Sequence, residues 1–325
     1  VRGEAWSGKA RQGFKNVIEQ HPITSREEWL ELRKQDCTAS TIGALFNCHP
    51  YVTVLRLFCE KRGVQFADAD NRVFRRGRWL EPAVAKAVEE ERPEWQLKAP
   101  KVYLRDPDIR LGCTPDYFID GDPRGLGVLQ AKSVAPSVYQ REWLGGSEIP
   151  FWIVLQTLVE CMLSDAAFGV VAALLVDPHA MDVAILEVPR HADSELKILV
   201  AVQNFWRSVA SGIEPDPDFA HDADVIKALR PRETPGKQID FSRLNSLPPM
   251  LEERAALMAD IKKADARCDE IETEIKHLMG DAESANGLLD WRITYKVQKR
   301  AGYTVAPKEP RVLLIKDKRP QTESP

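Results

Sequence analysis

The stretch that decides the fold reads Leu111-Gly112-Cys113-Thr114-Pro115-Asp116 and, after a turn, Gly127-Val128-Leu129-Gln130-Ala131-Lys132. Period-two patterning along Leu111–Ile119 and Leu126–Ser133 predicts two strands. Gly121-Asp122-Pro123 and Gly125 form a tight connection, which makes the strands neighbours. Residues two apart in a strand share a face, so Gln130 and Lys132 point the same way. Asp116, on the first strand, lies beside them. A carboxylate, an amide oxygen and an ammonium thus converge at one end of a ribbon. Mg²⁺ takes hard oxygen ligands and keeps several waters. Asp116, the side-chain oxygen of Gln130 and the backbone carbonyl of Ala131 would supply one face of its octahedron. Lys132 would orient or deprotonate a water and steady charge on a phosphate. The plain alternative is a surface Asp and Lys on two solvated strands, and this motif alone does not choose between them.

Upstream, Ser25-Arg26-Glu27-Glu28 reads as a capping box opening a helix that carries Trp29 and Arg33. Helical stretches follow near Ser40, over Val54–Arg62 (ended by Gly63) and over Gly77–Glu91, which carries Glu81. Leu97–Leu104 reads as a strand. Downstream come a helix from Pro150 to about Leu163, strands at Phe168–Val176 and Asp182–Val188, and a helix at Glu195–Ala210. The whole predicts an α/β (α+β) domain over 25–213, a central mixed sheet flanked by helices. A loose polar arm, 1–24, precedes it. The acidic, proline-broken run Glu214-Pro215-Asp216-Pro217-Asp218 opens an extension, 214–325. Within it Leu257, Ile261, Ala264, Cys268, Ile271, Ile275 and Leu278 alternate spacings of four and three, predicting a long amphipathic helix at about 250–280. We read that helix as packed on its own protein, with a coiled coil as the alternative. A small hairpin (Asp290–Val297, Arg311–Lys316) closes the chain. Residues 291–320 hold nine Lys/Arg against two acids, a solvated face or a phosphate-facing one.

Forty-five basic and forty-nine acidic residues give a formal charge of −4, which disfavours a protein that coats nucleic acid but leaves room for a basic interior. The longest apolar run, Ala166–Val176, is too short to span a bilayer. Val1-Arg2-Gly3-Glu4 lacks the apolar region of a secretory signal, so a cytoplasmic location is expected. The six cysteines (37, 48, 59, 113, 161, 268) form no CxxC pair and no zinc spacing, and read as reduced, mostly buried thiols. They also lack the spacing that an iron–sulfur cluster needs. Arg72, Arg75, Arg76 and Arg78 precede Glu81 on one element and read as a path for a nucleic-acid strand, with plain solvated charge as the alternative. Trp79 reads as core.

The central stretch resembles the PD-(D/E)xK nuclease motif, and its neighbours narrow the likeness to the lambda-exonuclease/YqaJ family of phage recombination nucleases over roughly 25–213. Five pieces stand in family order: Trp29-Leu30-x-x-Arg33 with Thr38-Ala39-Ser40; Pro50-Tyr51 with Glu60-Lys61; Arg76-Gly77-x-x-x-Glu81-Pro82; Gly112-Cys113-Thr114-Pro115-Asp116 with Gln130-Ala131-Lys132; and Ile149-Pro150 with Gln156. The resemblance implies a restriction-endonuclease-like core. It implies Mg²⁺, with Mn²⁺ as substitute, held by Asp116, Glu81, Gln130 and the Ala131 carbonyl. By the same likeness Lys132 is the catalytic lysine and Gln156 lies at the active-site rim. Arg33 and Ser40, joined by the hydroxyl of Thr114, form a pocket for a 5′-terminal phosphate. The implied activity is 5′–3′ degradation of linear double-stranded DNA ends to leave 3′ overhangs. The implied partners are a single-strand annealing protein and further copies of the chain in a trimeric ring.

One position departs. The family carries Asp or Glu where this chain has Gln130, and an amide oxygen brings no charge to a cation. Three accounts stand open: a tolerated natural Gln with Glu81 and Asp116 holding the metal, a Gln introduced to trap a complex, or a natural non-cutter that grips DNA ends. The rival function is therefore a non-catalytic DNA-end-binding protein.

Overall fold

The computed structural model describes residues 17–66, 72–177, 179–287, 291–299, 313 and 315. One compact unit runs to Arg230, and a second begins at Pro231. The first contains β1 (Glu19–Pro22), α1 (Arg26–Gln35), β2 (Cys37–Thr38), a 3-10 segment (Ala39–Phe46), α2 (Val54–Lys61) and α3 (Arg72–Glu91). It continues with β3 (Gln96–Lys98), β4 (Val102–Asp106), β5 (Leu111–Cys113), β6 (Tyr117–Asp120), β7 (Gly127–Val134), α4 (Pro136–Glu142) and α5 (Phe151–Ser164). It ends with β8 (Phe168–Val176), β9 (Met181–Val188), α6 (Ala192–Ser211) and α7 (Ala223–Leu229). The second unit holds α8 (Leu247–Met279) and the short pair β10 (Ser284–Ala285) and β11 (Ile293–Thr294).

The central sheet is mixed, as expected, in the order β3-β6-β7-β8-β9. Only the β7–β8 pair in it is parallel, and α5 makes the crossover between those two strands. β8 reads FGVVAALLV and is buried almost throughout because both faces of the sheet are covered. Val171 and Ala173 pack with Leu155 and Val159 of α5 and with Ile198, Val202 and Phe205 of α6. On the other face Leu129, Val170, Ala172 and Leu174 meet Val84 and Val88 of α3. The sheet is thus held between α5, which carries Gln156, and α3, which carries Glu81.

Two long strands expected from the sequence are each divided. Leu97–Leu104 splits into β3 and β4, with Lys101 left-handed (φ 47°) between them. Leu111–Ile119 splits into β5 and β6, because Pro115 has no N–H and cannot carry a ladder onward. β4 and β5 belong to a second sheet, β1-β4-β5-β2. Asp116 therefore sits in the connector between the sheets rather than within a strand. The last residues of the expected arm form β1, an edge strand paired antiparallel with β4. Residues 1–16 lie outside the described residues.

Ser25 caps α1 by accepting from the Glu28 backbone N–H at 3.2 Å; the Glu28 carboxylate meets Thr24 instead of closing a capping box. Gly112 is required by space: a Cβ there would stand 2.0 Å from the Tyr103 hydroxyl, which donates to buried Asp36 at 3.0 Å. Arg105 pairs with that same Asp36 through two nitrogens, at 2.8 and 2.9 Å. Cys37, Cys59, Cys113 and Cys161 are free and buried, as read.

In the second unit α8 is half-buried at Leu247 and Ile275, buried at Met279 and exposed elsewhere. Ile293–Thr294 pairs with Ser284–Ala285. The expected strand at Arg311–Lys316 and most of the basic 291–320 run lie outside the described residues.

Candidate active site

The β6–β7 ladder ends at Tyr117 opposite Leu129. Beyond it the Ala131 N–H points at the vacated edge, and the Asp116 side chain accepts it through Oδ2 at 2.9 Å. A strand residue directs its N–H and C=O to the same side. The Ala131 carbonyl therefore faces the Asp116 edge as well. Gln130 Nε2 also donates to Asp116 Oδ2. On its other side Gln130 Oε1 accepts from Gln156 Nε2 at 2.6 Å, and Gln156 Oε1 accepts from Lys132 Nζ at 3.2 Å. Residues 130 and 132 share a face, as the period-two reading required, and that face meets α5. Gln156 is 7% exposed, a buried hub rather than a polar group at a rim.

α5 presents Trp152, Gln156 and Glu160 one helical turn apart. Lys132 Nζ lies 5.3 Å from the Trp152 ring centroid. Gln156 Nε2 also donates to Glu160 Oε1 at 3.0 Å. Glu160 is 1% exposed and its Oε2 has no hydrogen-bond partner. Burial dominates the electrostatics. It pushes the Glu81 carboxyl of α3 up to about 7, with Asp116 raising it further and Lys132 opposing. It raises the Asp116 carboxyl against the pull of Lys132 and the Ala131 N–H. It raises Glu160 well above the usual carboxyl range, aided by Asp116. It also lowers the Lys132 ammonium, which Asp116, Glu160 and Glu81 partly restore. Buried acids pushed up around a lysine pushed down are groups that gain from an added cation.

The predicted phosphate pocket is contiguous with this edge. Arg33 Nη2 donates to Ser40 Oγ at 2.8 Å and reaches Thr38 Oγ1 at 3.4 Å, and its guanidinium lies 4.5 Å from the Trp29 ring centroid. Trp29 Nε1 donates to Thr114 Oγ1 at 2.9 Å, which ties α1 to the connector carrying Asp116. Lys61 Nζ holds the Arg33 carbonyl at 2.7 Å. Burial lowers the Arg33 guanidinium, offset by Tyr103 and Glu60. His49 Nδ1 accepts the Tyr51 and Val52 backbone N–H groups at 3.1 and 3.0 Å. That fixes the ring proton on Nε2, and the ring lies tilted against Trp152, centroids 5.2 Å apart. Of the four arginines before Glu81, Arg76 reaches Ser133 Oγ at 2.9 Å, next to Lys132, while Arg72, Arg75 and Arg78 are exposed. Trp79 is 71% exposed under the Arg75 guanidinium, not core: α3 turns that face away from the sheet.

Glu160, Trp152 and His49 were not singled out by sequence. The only signal for Glu160 was its i+4 spacing from Gln156. Among the described residues no group of three His, Cys, Asp or Glu side chains is close enough to hold a metal by itself. The oxygen donors at the edge are the Asp116 and Glu81 carboxylates and the Ala131 carbonyl, while the Gln130 amide turns Nε2 to Asp116 and Oε1 to Gln156. The three are hard oxygens, a set that suits a divalent cation retaining water.

Residues 28–166 match the family described as the YqaJ-like viral recombinase domain. No curated protein matches the chain. Among solved structures, LHK-Exo from Laribacter hongkongensis in complex with dAMP is 18% identical over 62% of this chain and 98% of its own, with a TM-score of 0.46. A putative exonuclease from Eubacterium rectale is 12% identical over 69% of this chain and 98% of its own, with a TM-score of 0.42. A SOX–DNA complex is 11% identical over 67% of this chain and 70% of its own, with a TM-score of 0.36. The 28–166 span contains Arg33, Ser40, Glu81, Thr114, Asp116, Gln130, Lys132 and Gln156, so the site assembled by the sheet and its two helices falls inside the matched region. Over residues 28–166, then, this chain is similar to the YqaJ-like viral recombinase domain.

Proposed function

We propose that the protein is a Mg²⁺-dependent exonuclease that degrades linear double-stranded DNA from 5′ ends and leaves 3′ overhangs for an annealing protein. The observation that supports it is the continuity of two chemistries: the Asp116–Gln130–Lys132–Gln156 network and the Arg33–Ser40 pocket, joined through Trp29 and Thr114. Asp116 and Glu81, with the Ala131 carbonyl and Gln130 oxygen, would hold the cation. Bound there, Mg²⁺ would supply charge to the scissile phosphate and an acidified water. Lys132, kept in place by Gln156 and depressed by burial, orients the attacking water and takes or shares its proton. The Arg33 guanidinium, with Ser40 beside it, grips the terminal phosphate and so sets the register of cleavage. Arg72, Arg75, Arg76 and Arg78 line the strand path. Assembly into a ring of identical chains and action in the cytoplasm of a bacterial or phage-infected cell complete the reading.

The test is degradation of an end-labelled linear duplex with Mg²⁺ or Mn²⁺, with and without a 5′-phosphate. Loss of product in Asp116→Ala and Lys132→Ala is expected, and undiminished activity in either overturns the site. A second reading has its own observation: Gln130 Nε2 covers an Asp116 oxygen that a cation would need. If the native chain binds ends without cutting and Gln130→Glu cuts, the protein is an end-binding one.

A further inference from the structure

Lys132 feels three carboxyl groups: Asp116, Glu160 and Glu81. Motif reading supplies two of them. The third, Glu160, projects from α5 at a position no motif marks. Its burial is nearly complete, and one of its oxygens, Oε2, meets no donor. Leaving a buried acceptor unsatisfied costs roughly 1–3 kcal/mol, more for a charged one. Packing alone does not account for it, since an apolar side chain would fill the same space without that penalty. The position is specific in another way. The amides of Gln130 and Gln156 form a hydrogen-bonded bridge between Glu160 on one side and Asp116 on the other. Gln130 stands where the resembled family carries an acid. The site therefore keeps three carboxyl groups, with one located on the helix instead of the strand.

We propose that Glu160 is the displaced acid of the site. It is a positioning carboxyl one layer behind Gln130, which supplies the acid group that the amide replaces and orients the Gln156–Gln130 pair toward the Asp116 edge. The proposal rests on reading that edge as a divalent-cation site. It predicts reciprocity: an acid is needed at 130 or at 160, and one serves in place of the other.

The experiment is Mn²⁺ titration of the full chain, followed by electron paramagnetic resonance of the free ion. Native protein is compared with Asp116→Asn, Glu160→Gln, and the double variant Gln130→Glu/Glu160→Gln, with folding checked by circular dichroism. Glu160→Gln is expected to weaken Mn²⁺ binding about 10- to 100-fold, the usual range for a carboxylate behind the ligands. The double variant is expected to return to within about threefold of native. Mn²⁺ affinity within twofold of native in folded Glu160→Gln overturns the proposal. So does a folded double variant that stays weak, since a merely structural Glu160 is not rescued by an acid at 130. If Glu160→Gln does not fold, the double variant decides alone by the same criterion. A native chain that binds no Mn²⁺ overturns the cation-site reading itself, and this inference with it. Binding abolished by Asp116→Asn but indifferent to Glu160 overturns the inference only.

Discussion

Replacing Gln156 by Leu tests the network at its hub. The side chain is 7% exposed and contributes a donor to Gln130 Oε1 at 2.6 Å, a donor to Glu160 Oε1 at 3.0 Å and an acceptor to Lys132 Nζ at 3.2 Å. Leu fills nearly the same volume, so the cavity contribution is small. Three polar groups lose a partner, and two of them, Gln130 and Glu160, are themselves 3% and 1% exposed. At roughly 1–3 kcal/mol for each buried group left unsatisfied, less the gain from burying an apolar side chain, the loss is about 3–6 kcal/mol. That is a large share of the ~5–15 kcal/mol that holds an ordinary domain together. For a unit of this size it corresponds to a fall in Tm of roughly 6–20 °C. The assay is urea and thermal denaturation in EDTA, so that no cation contributes. A loss below about 1 kcal/mol would refute the reasoning, because it would mean that Gln130, Glu160 and Lys132 find water or one another without Gln156. Gln156→Glu is the control: it keeps an acceptor for Lys132 but sets a carboxylate against Glu160 and the Gln130 carbonyl. Its deficit should shrink on acidification as the carboxyls take up protons.

Three further outcomes follow from the geometry. Gly112→Ala drives a methyl to 2.0 Å from the Tyr103 hydroxyl and breaks its bond to buried Asp36; a cost of about 2–4 kcal/mol is expected by denaturation, whereas Gly77→Ala, with open space around it, should be neutral or stabilising. Trp29→Phe keeps the ring under Arg33 but removes the donor to Thr114, so the rate advantage of 5′-phosphorylated ends should narrow while stability falls by only ~1 kcal/mol; an unchanged preference uncouples the pocket from the connector. Glu81 carries a carboxyl pushed up to about 7 in the folded chain, so folding holds a proton that the unfolded chain releases near pH 4.5. In EDTA its contribution is fully present below that pH and is lost as pH rises toward 7; Glu81→Gln should flatten that slope, and an unchanged slope would place the titration elsewhere.

The parts of the site that were legible in sequence are those governed by local periodicity. Gln130 and Lys132 share a face because strand side chains alternate, and that needs only two residues of context. The glycine and proline between Asp116 and Gln130 foretold a tight connection, and β6 and β7 are indeed antiparallel neighbours. Helix ends at Ser25, Gly63 and Pro150 were readable from capping chemistry. Strand continuity was not, because alternation runs unbroken through Thr114–Asp116 and only the missing N–H of Pro115 moves the chain from one sheet to the other. Trp79 was misread because an aromatic residue beside apolar neighbours carries no sign of which helix face it occupies.

What the sequence alone determined is the mixed α/β plan, the identity of the ribbon with Asp116, Gln130 and Lys132, and the order of motifs around it. Each follows from spacing along one or two elements. Only the tertiary structure decided that Gln156 is a buried hub, that Trp29 joins the phosphate pocket to the Asp116 connector, and that Glu160 stands behind Gln130 with an oxygen unmet. The physical reason is desolvation. A glutamate written on a helix looks the same in sequence whether water or a lysine and two amides surround it. Packing α5 against β7 is what takes the water away.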